Sequence, residues 1–123
     1  MTTHPNLHPA LRPGALQHLQ LANRYVVAPM SRASATDDGI PTEAMARYYA
    51  GFATGGFGLI IAEGAYTDLC HAQAYGNQPG LCNDAQEAGW QGVTDAVHRA
   101  GGRIILQLIH AGAVSQAVDV PHA

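Results

Sequence analysis

The segment Asn23-Arg24-Tyr25-Val26-Val27-Ala28-Pro29-Met30-Ser31 constrains the fold more than any other part of the 123-residue chain. Its β-branched and aromatic run has the composition of a buried strand. Pro29 then ends it, because proline has no N–H with which to extend a ladder. A buried strand that closes in Pro29, Met30 and Ser31, followed by a polar loop from Ser34 to Gly39, points toward the carboxyl edge of a parallel sheet. Ligands bind at that edge in α/β folds, because the strand-to-helix loops gather there.

The rest of the chain reads as a continuation of that sheet. Upstream, Pro5, Pro9, Pro13 and Gly14 punctuate an irregular lead-in, with a short hairpin in which Leu16–Gln17 turns toward Gln20–Leu21. The first parallel strand is Tyr25 to Ala28, and Asp37-Asp38-Gly39 signals a turn in the loop after it. A helix follows from Thr42, its cap, to Thr54, with Met45, Tyr48, Tyr49 and Phe52 on one apolar face and Gly55-Gly56 as its stop. The second strand, Gly58 to Ala62, is apolar throughout, as expected when both faces are covered. Glu63 to Asn83 reads as a long connection, of the kind that is functional or ordered by a ligand. Asp84 with Glu87 gives a capping-box-like start to a second helix ending near Ala100, with Trp90, Val93, Val97 and Ala100 as its stripe. The third strand is Arg103 to Ile109, and the tail from Ala117 to Ala123 has no periodicity. A β-α-β-α-β order with short connections predicts a parallel sheet with right-handed crossovers.

Composition narrows the function classes. Hydrophobic residues make up 47% of the chain and charged residues 12%, enough for one buried core and too little charge for disorder. A net charge of −3 offers no basic patch for nucleic acid, and no run approaches the length of a membrane span. The N-terminal stretch lacks the cationic and apolar parts of a signal peptide, so a soluble cytoplasmic protein is the expectation. Cys70 and Cys82 are the only cysteines and nothing demands that they pair. With His71 they lack the spacing of a zinc site, so no metal is expected. No Gly-x-Gly-x-x-Gly opens a helix, which argues against a Rossmann nucleotide site.

"NRYVVAPMSR" resembles the first barrel strand of the old yellow enzyme family, the FMN-dependent ene-reductases and NAD(P)H:flavin oxidoreductases. Three more blocks fit that family in order: "YYAGFATGGFGLIIAEG", "PGLCNDAQEAGWQGVTDAVHRAGG" (Pro79 to Gly102) and "ILQLIHAG" (Ile105 to Gly112). Four ordered blocks are far more specific than any one alone. The resemblance implies the α/β fold of a (β/α)8 TIM barrel, of which residues 1–123 would be an N-terminal portion: a β-hairpin plus the first three strands and two helices, incomplete on its own. Such a barrel takes about 250 residues. The implied activity is that of a flavoprotein oxidoreductase carrying FMN. It takes hydride from NAD(P)H (NADH or NADPH) and reduces activated C=C bonds of α,β-unsaturated carbonyl compounds, and the chain alone is expected to be inactive. The implied partners are the remaining barrel segment or a second chain, an enone-type small molecule, and further copies in an oligomer, with no nucleic acid and no membrane. The competing reading is a non-catalytic half-barrel that binds flavin or assembles with another chain.

Carried over by motif, the cofactor-binding positions are Ala28, Pro29, Met30, Ser31, Gly64 and Gln107. The residues themselves suit the task. Gln107 has both an amide donor and an acceptor, which match the alternating edge of a pyrimidine-like ring. An amide in an apolar strand is also costly to bury without partners. Gly64 leaves room for a flat ring against the backbone, and Ser31 can donate to a ring carbonyl. Against this, Pro29 and Met30 taken alone are more often core packing and a strand stop than cofactor contacts. Glu63 fits either a base or a carboxylate that binds backbone N–H groups, and His110 fits a hydrogen-bonded structural residue better than a ligand. Tyr48 and Tyr49 read as core. No catalytic residue is assigned to this chain. The family's substrate-binding His-His or His-Asn pair, its Tyr proton donor and its phosphate-holding basic residues all follow the third strand. Ala33 stands where some members carry a Tyr at the substrate mouth.

Overall fold

The computed structural model describes residues 7–116, so the start of the lead-in and the aperiodic tail over 117–123 lie outside the described residues. The chain opens on the predicted hairpin, with β1 (Gly14–Leu16) and β2 (Leu19–Leu21) paired antiparallel around a turn in which Gln17 has φ +51°. A parallel sheet of three strands follows, in the order β3 (Val26–Val27), β4 (Leu59–Tyr66), β5 (Ile104–Ile109). Helices α1 (Glu43–Thr54) and α2 (Asp84–Arg99) form the crossovers.

The first helix starts where its cap predicts. Thr42 is extended, its hydroxyl accepts the Met45 N–H, and it donates in turn to the Ser34 carbonyl, tying the helix to the preceding loop. The second helix is capped one residue earlier than the sequence suggested. Asn83, not Asp84, holds the extended cap conformation, and its Oδ1 accepts the Gln86 N–H at 2.9 Å. Asp84 is already helical, where its charge can only complement the helix dipole. Gln86 rather than Glu87 reaches back, accepting the Cys82 N–H at 2.9 Å.

Two strand boundaries also move. β3 is two residues long, shorter than Tyr25 to Ala28, because its ladder is limited to Val26 against Leu59 and Val27 against Ile60 before Pro29 stops it. β4 runs past Ala62 to Tyr66, so the first four residues of the expected long connection are strand. Glu63 and Gly64 interrupt the apolar run but not the ladder: the register with β5 passes from Ala62 opposite Leu106 to Gly64 opposite Gln107, which leaves Glu63 as the extra residue of a bulge.

Both helices cover one face of the sheet. Met45, Tyr49 and Ala53 of α1 and Trp90, Val93 and Val97 of α2 pack with Val27, Ile60, Ala62 and Ala65, while Tyr48, Phe52, Ile104 and Leu106 lean on this core. The other face is largely open among the described residues, although Leu59 on it is buried. Val26, Ile105 and Ile109 are 40–44% exposed there, and Leu108 at the free end of β5 reaches 58%.

Candidate functional site

The carboxyl ends of the three strands are bound together by a few buried polar contacts. Glu63 is fully buried, and its placement follows from the bulge. With an unbroken register its side chain would stand opposite Gln107 on the open face; the extra residue turns it toward α1 instead. There its Oε1 accepts the Tyr49 hydroxyl at 2.8 Å, and its Oε2 accepts the Arg32 N–H at 3.1 Å. The Tyr49 oxygen also accepts the Glu63 backbone N–H at 3.0 Å. Burial, with the Glu63 carboxylate against it, pushes the Tyr49 phenol well above its ordinary range. Of the two roles open to Glu63, backbone binding is the one this geometry supports. It ties the segment after β3 to the middle of β4. The Arg32 guanidinium lies 4.2 Å from the centre of the Tyr48 ring and adds a cation–π contact to that hold.

The same bulge sets Gly64 opposite Gln107. A Cβ on Gly64 would lie 2.8 Å from Ile109 Cγ2 and 3.3 Å from Gln107 Oε1, so both side chains lean over its bare backbone. Gly64 has no room for a side chain unless Ile109 shifts, and its carbonyl accepts the Gln78 Nε2 amide at 2.9 Å. Gln107 is solvent-exposed, which corrects the premise that its amide is buried: the face it stands on is uncovered here. Ala28, Met30 and Ser31 are exposed at the same sheet edge, and Pro29 is half-buried. His110 matches its structural reading, with Nδ1 accepting the Gly112 N–H at 3.1 Å.

The connection after β4 is ordered by its own hydrogen bonds and closes over this edge. Asn77 pairs with the loop after β3, its carbonyl accepting the Ala35 N–H and its amide donating to the Ala35 carbonyl and to Asp37. Gln78 Oε1 accepts the Ala74 N–H, and Gly80 and Leu81 continue the ladder beside Tyr66. At its far side, the carbonyls of His71 and Ala72 accept the N–H groups of Gly112 and Ala111 after β5. One residue of this connection went unnoticed in the sequence. The Tyr75 hydroxyl is buried without a hydrogen-bond partner. Its phenol is pushed up, chiefly by burial, with the neighbouring Ser31 side chain opposing and the Glu63 charge adding. A tyrosine followed by Gly76 and Asn77 in a polar loop was the available signal.

A separate cavity of about 780 Å3 opens on the outside, between Asp37, Asp38, Tyr66, Leu69, Gln73 and the start of α2. None of the six cofactor-binding candidates lines it. Three aspartates in its wall, Asp37, Asp38 and Asp84, make it a poor place for a phosphorylated cofactor.

Comparison with known proteins decides the family. The sequence profile of the NADH:flavin oxidoreductase / NADH oxidase family matches residues 11–123. The chain belongs to this family. It is 47% identical over 90 residues to a chanoclavine-I aldehyde reductase of Penicillium roqueforti, covering 73% of this chain and 24% of that protein. It is 38% identical over 114 residues to 12-oxophytodienoate reductase 7 of Oryza sativa subsp. japonica, covering 93% and 28%. Among solved structures, a morphinone reductase in complex with tetrahydroNAD superposes with a TM-score of 0.80 at 42% identity, over 89% of this chain and 29% of that one. The old yellow enzyme of Pichia sp. AKU4542 superposes with a TM-score of 0.82 at 29% identity, over 87% and 28%. The chain thus spans roughly a quarter of the length of the curated relatives it matches. Its hairpin, three strands and two helices are an incomplete TIM barrel of the old yellow enzyme type. The family is one of FMN-dependent oxidoreductases.

Proposed function

We propose that this chain is the first part of a single-domain FMN barrel that takes hydride from NAD(P)H and reduces the activated C=C bond of α,β-unsaturated carbonyl compounds. The observation that carries the reading is the pairing of Gly64 with Gln107 on the uncovered face, produced by the bulge at Glu63. It sets a side-chain-free stretch of backbone beside an amide that offers both a donor and an acceptor. That donor set fits a flat heterocycle with an alternating edge. When bound, FMN would supply the hydride chemistry that none of these side chains can perform.

The chain's own residues then have separate tasks. Gly64 lets the Gln107 and Ile109 side chains lie against its backbone, Ala28 offers a ring no more than a methyl group, and Gln107 orients the ring through its amide. Met30 and Pro29 provide apolar contact, and Ser31 holds a single O–H donor where negative charge would collect on a reduced cofactor. Glu63 and Tyr49 hold the Ser31 segment in place through the Arg32 N–H. No residue of this chain is assigned the proton transfer or the phosphate, which fall to the rest of the barrel. The exposed edge of β5 and the uncovered inner face support completion by that remaining segment or by a second chain.

The test is flavin uptake by the intact gene product. Purified protein that carries flavin absorbance, or gains it on adding FMN, and that oxidises NAD(P)H with an enone acceptor supports the reading. Protein that takes up no FMN overturns it.

A further inference from the structure

We propose that Gln78 is a positioning residue for Gln107: by holding the Gly64 carbonyl it fixes the stretch of backbone against which the Gln107 amide lies. The inference rests on the flavin reading above, but its first link, between Gln78 and Gly64, does not need the flavin.

Three observations lead to it. The first is a gap in the ladder. On the β3 side of β4 the register ends with Val27 opposite Ile60. Pairing resumes there at Tyr66, which donates to the Pro79 carbonyl and accepts the Leu81 N–H. Within the gap the Gly64 carbonyl is held by a side chain, with Gln78 Nε2 donating at 2.9 Å. The second is how firmly Gln78 is set. It is 1% exposed, and its Oε1 accepts the Ala74 N–H at 2.7 Å, so both ends of the amide are engaged and it has one orientation. Its neighbour Asn77 ties the same loop to Ala35 and Asp37. The third is the contact on the far side of Gly64. Gly64 stands opposite Gln107, and a Cβ on it would lie 3.3 Å from Gln107 Oε1, so the Gln107 amide rests on this backbone.

The chemistry gives this arrangement a purpose. A glycine has no side chain for its neighbours to hold, and its backbone is the most permissive of any residue. The bulge at Glu63 loosens the ladder beside it further. A buried carbonyl without a donor is costly, so one that lost Gln78 would move to find another. Such a movement shifts the surface beneath Gln107. Gln107 is exposed, so the direction of its amide depends on what it lies against. An amide already held in its binding direction loses less entropy when a ligand arrives. Gln78 thus raises the affinity of the site without touching the ring itself.

Two measurements test it. In the intact protein, Gln78→Met keeps a chain of similar length without the amide and should weaken FMN binding about three- to tenfold. On a Gln107→Leu background the same change should move the Kd by less than about twofold, because the amide it positions is gone. An unchanged Kd in Gln78→Met, or an equal loss on both backgrounds as a merely structural role would give, overturns the proposal. The flavin-free measurement follows side-chain amide resonances. In the unmutated protein the Gln78 amide protons, assigned by through-bond connection to their own backbone, should exchange with solvent far more slowly than those of the exposed Gln20. Gln78→Met should then shift the Gln107 amide resonance, identified by its loss in Gln107→Leu. Rapid exchange at Gln78, or a Gln107 resonance that stays in place, breaks the link. Protein that shows this link yet binds no FMN would overturn the flavin reading and the affinity role together, and leave the positioning of Gln107 established.

Discussion

Removing one oxygen from Tyr49 should cost the folded protein about 3 kcal/mol. In Tyr49→Phe, Glu63 Oε1 loses the donor now 2.8 Å away, and the Glu63 N–H loses its acceptor at 3.0 Å. A hydrogen bond to a charged group contributes about 1.5–3 kcal/mol, and a buried donor left unpaired costs about 1–3 kcal/mol. The two losses share one oxygen and overlap, so the estimate sits below their sum. Phenylalanine keeps the ring between Met45 and Ala53, so no cavity contributes. Glu63 is fully buried, so solvent cannot replace the lost partner without opening the core. Urea denaturation of the intact protein is the assay, read as a lower midpoint with an unchanged slope. Glu63→Gln in the same background completes a double-mutant cycle, with an expected coupling of about 1–3 kcal/mol. A change under about 0.5 kcal/mol in Tyr49→Phe, at the level of an ordinary surface substitution, would refute the clamp.

Alkaline stability follows from the same burial. Tyr49, Tyr66 and Tyr75 lie above the ordinary 10.0 and Cys82 above 9.0, so the fold favours their neutral forms. The unfolded chain gives up these protons first, so the urea midpoint should be insensitive to these groups below about pH 9 and fall from there upward; a midpoint that rises would reverse the sign. Gln107→Leu should weaken FMN binding by about 1–3 kcal/mol, one or two hydrogen bonds, and an unchanged Kd would return Gln107 to a structural role. Ser31→Ala should leave FMN affinity nearly unchanged while moving the reductive and oxidative half-reaction rates in opposite senses. Equal slowing of both in stopped flow, or simple loss of flavin, would contradict a tuning role. The isolated 123-residue chain should lack NAD(P)H oxidation and sediment as aggregates or self-associated species, since Val26, Ile105 and Ile109 stand bare on its inner face. A monodisperse monomer with cooperative unfolding would show that face to be tolerated.

Much of this fold was legible in the residues because local signals agreed with one another. Thr42 and Gly55-Gly56 bracket α1, and the apolar runs after each Gly-Gly pair mark β4 and β5. The site was less legible, because its geometry is made by contacts far apart in the chain. A bulge at Glu63 exists only in the pairing of β4 with β5, and it alone decides that Glu63 leaves the open face and Gly64 meets Gln107. Tyr49 read as core, and its ring is. The polar role of its oxygen depends on α1 crossing over β4. Asn83 and Asp84 are both good caps, and one residue's difference in backbone angle separates them. Gln107 was expected inside from its apolar neighbours, but the sheet supplies the strand and not its cover.

Flavin titration of two proteins side by side tests the central claim most directly: the isolated 123-residue chain, and the same residues within a completed barrel. With Gly64 and Gln107 contributing one part of the site and later strands the phosphate grip, FMN absorbance should be perturbed, with saturation, only in the completed barrel. Gln107→Leu should weaken that binding. A completed barrel that leaves the FMN spectrum unchanged would contradict the claim that these strand ends form a flavin site.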